Sequence, residues 1–368
     1  MAIHLPIQTS IRGVEIHFFA VGNGSGSGDA IVIRFGDLHG PVEHQRLVIV
    51  DGGYTDDGDA IVTHLRDVLG TDHVDLVIST HPDADHIRGL RRVLEEMDVD
   101  ALWMHLPWDH TDDIASMFTD GRVTDNSISE KLREELTGAR VLAETALARG
   151  VPVTEPFTGV SAFDGVVEIV GPDLDFYEKL LLDFRATPDP VPPTRMSKMA
   201  SAARKLIESF GIETLTDRGS TSAENNTSAI TMITVGGHRS LLTGDAGIPA
   251  LERAATVLES VGAAQNLNFI QVPHHGGRHN VGPSVLDRIV GPRLDADVKR
   301  ATAYVSAAPD GAPRHPSSQV TNAFRRRGAH VYATQGTPHR HSLNAPDIPG
   351  WSTPNPLPFY VEIDEDDE

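Results

Sequence analysis

The segment Thr80-His81-Pro82-Asp83-Ala84-Asp85-His86 constrains this chain more than any other stretch. It sets four potential metal ligands, His81, Asp83, Asp85 and His86, within six residues, directly behind the apolar run VDLVIS at 74–79. That run is bounded by turn signals and reads as a buried strand. From Ile87 the pattern IRGLRRVLEEM puts Ile87, Leu90, Arg91, Leu94 and Met97 at helical spacing, so the polar cluster occupies a strand-to-helix loop. Carboxylates crowded this closely repel unless protonated or neutralised, and divalent cations neutralise them directly. The alternative is an ordinary helix start capped by Asp85, which accounts for one Asp and for neither His.

Further ligands must come from elsewhere in the chain, and the absence of cysteine restricts them to His, Asp, Glu and Asn. Asp245 ends the run RSLLTGD, just past a strand, where a carboxylate can bridge two ions; a plain turn Asp is the alternative. His274 and His275 follow NFIQVP in the same strand-end arrangement, and Gly276-Gly277 lets backbone or substrate approach closely. Adjacent residues leaving a strand point to opposite sides, so only one of the pair is expected to face metal. His274 is the expected ligand, and His275 is expected to face substrate or to support a ligand. The histidines at 64, 73, 105, 110, 279, 339 and 341 lack such context and read as solvated or packed.

Strand signals at 14–21, 29–35 and 46–50 open the chain, and a helix is expected near 58–69. They resume at 229–235 and 239–244, then alternate as helix near 248–260, strand 268–272, helix near 283–290, strand 301–306, helix 317–326 and strand 329–333. Two mixed β/α halves with polar residues at strand ends predict two sheets packed face to face with helices outside. Residues 105–215 read as an insertion, either a lid or a structural elaboration. It holds a Trp/Pro/His-rich loop, a long helix over about 127–149, a short β segment near 165–170 and the Pro-rich run ATPDPVPPT at 186–194. The whole chain of 368 residues is then read as one elaborated domain. The glycine-rich stretch Gly22 to Gly28 reads as a hairpin turn rather than a phosphate loop, because a strand and not a helix follows it.

No apolar run approaches the roughly 20 residues that a membrane-spanning helix requires. The opening MAIHLPIQTSIRG carries no signal-peptide pattern, so no membrane association and a cytoplasmic location are expected. A formal net charge of −21, part of it in an acidic tail at 363–368, opposes binding of long duplex nucleic acid.

Together, Asp51-Gly-Gly, HPDADH at 81–86, LLTGD at 241–245 and VPHHGG at 272–277 resemble the metallo-β-lactamase superfamily. The closer likeness is to the hydrolase domain of the competence protein ComEC, whose pattern has Asp where most of the superfamily has its second His; Asp83 stands there in this chain. The likeness extends to GDAIVI at 28–33, Glu224-Asn225-Asn226-Thr227-Ser228 and Arg314-His315-Pro316, with Arg314 departing from the Gly of that pattern.

The resemblance implies an α/β fold, an αββα sandwich with a partly helical insertion, whose strand-end loops converge on two divalent metal ions. His81 and Asp83 would hold the first ion, Asp85, His86 and His274 the second, and Asp245 would bridge them. Asn225 and Asn226 stand where the superfamily usually has a further His; either ligates through its amide oxygen or only hydrogen-bonds its loop. An oxygen-rich site brings manganese or magnesium into consideration beside zinc. Asp51 is expected to orient a ligand. Asp85, His275 and His315 are the expected catalytic groups, His315 as a general acid or a contact to substrate phosphate. Asn225, Asn226 and Arg278 are expected on the substrate side, with a surface ion pair the alternative for Arg278. The implied activity is that of a phosphodiesterase or nuclease acting through a metal-bridging hydroxide on a small or single-stranded phosphodiester, such as a nucleotide or a short single-stranded nucleic acid. Hydrolysis of a carboxylic ester, lactone or amide, and a metal-stabilised binding protein without activity, are the competing expectations.

Overall fold

The computed structural model describes residues 13–22, 24, 26–111, 124–184, 213–295, 298–311, 315–349, 351, 354–361 and 363. The Pro-rich run at 186–194, Arg314 and the tail beyond 363 lie outside these residues, as does most of the N-terminal stretch.

The chain opens with strands β1 (Gly13–Phe18), β2 (Ala30–Gly36) and β3 (Gln45–Gly52). Helix α1 (Thr55–His64), strands β4 (His73–Val74) and β5 (Leu76–Ile78), helix α2 (Ala84–Glu96), and strands β6 (Asp98–Val99) and β7 (Leu102–Trp103) follow. Next come α3 (Asp125–Glu135), α4 (Thr137–Arg149), β8 (Val153–Thr154), β9 (Ser161–Ala162), β10 (Val167–Gly171) and α5 (Leu174–Leu181). The second half holds α6 (Ala223–Asn226), β11 (Ile230–Val235), β12 (His238–Leu242), α7 (Ile248–Ser260), β13 (Phe269–Gln271) and α8 (Pro283–Ile289). It ends with β14 (Ala301–Val305), α9 (Ser318–Arg326), β15 (Ala329–Ala333) and β16 (His339–Leu343).

Two seven-stranded sheets result, in the orders β16-β1-β2-β3-β5-β7-β8 and β15-β14-β13-β12-β11-β10-β9. Each is antiparallel on one side and parallel on the other, the change falling at β3/β5 in the first sheet and at β12/β13 in the second. Alternate side chains of one strand serve different layers. Ile31, Ile33, Val48 and Val50 point between the sheets, whereas Val32 and Ile49 point outward beneath α1 and α2. Burial on both faces is why these strands read as continuous apolar runs. Phe269 closes the inter-sheet core against Phe18 and Tyr304, with ring centroids 5.8 and 5.1 Å away. Apolar residues of α1, α2 and α4 cover the outside of the first sheet, and those of α7, α8 and α9 cover the second. The architecture is therefore an αββα sandwich.

Three local differences from expectation bear on the site. Helix α2 starts at Ala84, not near Ile87, so Asp85 and His86 lie in its first turn and Asp83 takes the N-cap position without a side-chain capping bond. The single helix expected over 127–149 is broken at Leu136, whose φ of −95° and ψ of 44° are not helical. The restart brings Gly138 against α2, where an added Cβ would meet Ile87 Cδ1 at 2.8 Å. Strand β16 was not foreseen, because HRHSL lacks an apolar run and gains its place only by pairing with β1. The described parts of 105–215 are woven into the sandwich, supplying edge strand β8 to one sheet and the last two strands, β10 and edge strand β9, to the other. Among the described residues no helix is long and apolar enough to cross a membrane.

Candidate metal centre

The loops that follow the parallel strands meet at one edge of the sandwich. Asp51 lies at the end of β3, Thr80 and His81 follow β5, Asp245 follows β12, His274 and His275 follow β13, and Ser306 follows β14. Crevices at the carboxyl ends of strands are the usual sites of α/β sheets.

One carboxylate oxygen organises the centre. Asp245 Oδ2 faces Nε2 of His81 at 3.7 Å, of His86 at 3.5 Å, of His274 at 3.7 Å and of His275 at 3.8 Å. Asp83 Oδ2 stands 3.8 Å from His81 Nε2, while Asp85 Oδ2 stands 3.8 Å from His86 Nε2 and 3.7 Å from His275 Nε2. These separations are too long for good hydrogen bonds. They match the spacing of donors around a shared ion: two atoms each about 2.1 Å from one metal at a tetrahedral angle lie about 3.4 Å apart. Nε2 of His81, His86 and His275 and Oδ1 of Asp245 are buried without a hydrogen-bond partner.

The outer nitrogens explain the orientation. His86 Nδ1 donates to Asp51 Oδ2 at 2.8 Å, and His81 Nδ1 donates to Thr80 Oγ1 at 2.9 Å. Thr80 in turn donates its hydroxyl to Asp51 Oδ2 at 2.6 Å and its amide to Oδ1 at 2.8 Å. His275 Nδ1 donates to the Ser306 carbonyl at 3.0 Å. His274 Nδ1 donates to Asn280 Oδ1 at 2.8 Å, an amide held in that orientation because its nitrogen donates to the Asp245 carbonyl at 2.9 Å. Every Nδ1 therefore carries its proton outward and every Nε2 presents a lone pair inward, the tautomer that metal-binding imidazoles require. Four lone pairs and three carboxylates converging in a buried space need a cation, and the buried His and Asp groups fit a divalent metal ion.

The electrostatics agree. Burial opposes the charged form of His86, yet Asp245 and Asp51 overcome it and hold its pKa well above the ordinary value. His275 is likewise raised to about 9 by Asp245 and Asp85 against its burial. Asp245 is pulled well below the carboxylate range, despite burial, by His86, His274 and His275. Burial, then the neighbouring His86, lowers His81. Without metal the cluster collects protons, so protons and metal compete for it.

The predicted residues sit as follows. The alternation expected of His274 and His275 does not apply, because β13 has ended: both residues adopt left-handed φ, 47° and 54°, in a tight turn, and both rings face Asp245. Asp51 is left-handed too, at 56°. Such backbone is uncommon outside glycine and is held by surrounding packing. Asn225 and Asn226 lie on α6. Asn225 Nδ2 donates to Thr221 Oγ1 at 2.7 Å and lies 3.4 Å from His274 Nδ1. Asn226 Nδ2 donates to the Ser222 carbonyl at 3.0 Å, and both amide oxygens are buried without a partner. The His315 ring is 5.9 Å from that of His274 and 6.0 Å from that of His275. Burial lowers its pKa to about 4. Arg278 follows the tight turn, half-buried.

Thr80, Ser306, Asn280 and Asp29 were not singled out in the sequence. Ser306 and Asp29 lie far in sequence from the residues they serve, whereas Thr80 adjoins HPDADH, Asn280 follows VPHHGG by three residues, and Asp29 stands within GDAIVI. Burial, then the charges of His275 and His86 against those of Asp245 and Asp51, leave Asp29 raised to about 7. A cavity of about 480 Å³ is lined by Ala20, Gly22, Gly26, Tyr54, Asp56 and Asp57. The Tyr54 phenol lies near enough to Asp85 for that charge to help raise its pKa, after burial.

Solved structures of metallo-β-lactamase fold are similar to this chain. A metallo-β-lactamase from Hirschia baltica is 12% identical, with a TM-score of 0.32, over 78% of this chain and 100% of its own. A diphosphatase of the PhnP family is 12% identical, with a TM-score of 0.39, over 90% of this chain and 99% of its own. A variant of the β-hydroxylase CmlA is 12% identical, with a TM-score of 0.42, over 89% of this chain and 53% of its own, so the match spans about half of that protein. No family model and no curated protein matches the sequence.

Proposed function

We propose that the chain is a metal-dependent hydrolase that cleaves a small or single-stranded phosphodiester. The observation that carries this reading is the ring of four imidazole Nε2 atoms around Asp245 Oδ2. His81, Asp83 and His274 would hold one divalent ion, and Asp85, His86 and His275 the other, with Asp245 between them. His275 thus takes the place that the sequence reading assigned to His274, because its Nε2 is the one that faces Asp85. Bound ions of this kind supply Lewis-acid activation of water and neutralise developing oxygen charge.

The protein's own groups do the rest. Asp51, Thr80, Ser306 and Asn280 hold the imidazole tautomers. His315, with its lowered pKa, is neutral at pH 7, which suits a hydrogen bond to substrate better than delivery of a proton. Arg278 would contact a phosphate oxygen. Three carboxylates beside four imidazoles suit manganese as well as zinc, and phosphoryl chemistry is in keeping with the ComEC-like motifs. The net charge of −21 and the aspartates lining the cavity at Tyr54 disfavour a long polyanion and leave a mononucleotide-sized or short single-stranded ester.

The test is metal analysis of the purified protein, followed by assays with manganese or zinc on bis-p-nitrophenyl phosphate and thymidine oligonucleotides beside carboxylic esters and lactones. Phosphodiester cleavage that disappears in Asp245→Asn supports the reading. Turnover confined to esters or lactones sinks it.

A further inference from the structure

We propose that Asp29, at the entrance to β2, is a further carboxylate ligand of the ion held by His86, Asp245 and His275. The inference rests on the metal-centre reading above and enlarges its ligand set.

Four observations converge on this residue. Asp29 is 1% exposed, so its carboxylate is out of solvent. Its Oδ2 accepts one hydrogen bond, from Gln271 Nε2 at 2.9 Å, while Oδ1 is buried with no partner. Ligand atoms of Asp29, His86, Asp245 and His275 all lie within 4.8 Å of one another. Asp29 Oδ2 lies 3.8 Å from His86 Nδ1, the nitrogen that donates to Asp51, so the carboxylate would reach the ion through its unpartnered Oδ1. Finally, the backbone is pinned: Asp29 N donates to the Asp85 carbonyl at 3.3 Å, and Gly53 N donates to the Asp29 carbonyl at 2.7 Å. The residue is thus tied to the metal-binding loop on one side and to the Asp51 loop on the other.

The hydrogen-bonded support has the character of a ligand mount. Gln271 cannot turn away, because its Oε1 accepts from Thr243 N at 2.9 Å and Gly244 N at 3.0 Å, the amides that lead into Asp245. It steadies one oxygen of Asp29 and leaves the other for a different partner. A buried carboxylate with a single neutral donor is costly unless a proton or a cation compensates it. With Asp29 added, Asp85, Asp245, His86 and His275 make five donors, more than the four of a tetrahedral zinc site. The chemical class implied is a five- or six-coordinate ion of the manganese type.

The experiment titrates metal-free wild type, Asp29→Asn, Asp29→Ala and Asp245→Asn with manganese, zinc and cobalt(II), reading stoichiometry, affinity, cobalt absorption and melting temperature. Asp29→Asn is expected to lose at least tenfold in manganese affinity for one of two equivalents. Its cobalt absorption should intensify as the coordination number falls, and without metal it should melt no lower than wild type. Unchanged affinity and an unchanged cobalt spectrum overturn the proposal. So does a melting temperature lowered equally with and without metal, which marks a purely structural carboxylate. If Asp245→Asn loses metal while Asp29→Asn keeps both equivalents, only this inference fails. If Asp245→Asn also binds two equivalents as wild type does, the metal-centre reading fails as well.

Discussion

Replacing the Thr80 hydroxyl by a methyl group, Thr80→Val, tests how the centre sets its imidazoles. The side chains are nearly isosteric, so packing changes little while two hydrogen bonds disappear. The first is the 2.6 Å bond from Thr80 Oγ1 to Asp51 Oδ2. A hydrogen bond to a charged group is worth about 1.5–3 kcal/mol. The second is the 2.9 Å bond from His81 Nδ1, whose loss leaves a buried N–H unsatisfied at about 1–3 kcal/mol. Asp51 retains Thr80 N and His86 Nδ1 as donors, so the low end of the sum applies, about 2.5 kcal/mol. Because His81 can then turn or exchange tautomer, most of that loss should fall on the metal-bound state, as about a 50-fold weaker affinity for one ion. Calorimetric metal titration, with urea unfolding of the metal-free protein beside it, reads the two contributions separately. Affinity within threefold of wild type, with metal-free stability changed by less than about 0.5 kcal/mol, would refute the idea that the Asp51–Thr80–His81 chain positions a ligand.

Three other outcomes follow from the same structure. Chelation should lower the melting temperature of the holoprotein, since an ion present at 1,000 times its dissociation constant stabilises by about 4 kcal/mol; a melting curve indifferent to chelator contradicts the site. His105 is buried against Tyr177, with ring centroids 4.4 Å apart, and burial, then nearby His110, lowers its pKa to about 3. Its neutral form stabilises the fold above pH 6.5, and that contribution is lost as pH falls toward 3, so wild type should lose about 2 kcal/mol relative to His105→Phe between pH 8 and pH 5; parallel denaturation curves would reject this. Phe269→Ala should cost about 3–5 kcal/mol in urea unfolding by opening a cavity between the sheets; a loss under 1 kcal/mol would mean that Phe18 and Tyr304 close the gap.

Much of the architecture was readable because its signals are local. The strand before His81, the helices at 248–260 and 283–289, and the strands at 301–305 and 329–333 each declare themselves through apolar spacing within one element. The clustering of His81, Asp83, Asp85 and His86 and the turn-bounded His274-His275 were visible for the same reason. What escaped was whatever depends on a distant partner. β16 is a polar segment that becomes a strand by pairing with β1. The helix break at Leu136 reflects the close approach of Gly138 to α2. The alternation rule failed at His274 and His275 because the chain had left extended geometry by then.

By itself, then, the sequence determined the layered β/α pattern, the strand-end location of polar residues and the chemical type of the ligands, since periodicity and residue identity act over a few positions. Only the tertiary structure decided which ring nitrogens face inward, that both histidines of the pair reach Asp245, and that Asp29 shares their space. Those outcomes depend on hydrogen-bond acceptors, the Ser306 carbonyl brought beside the site by sheet packing and Asn280 by the fold of its own loop, and on backbone torsions that short-range preference alone would not select.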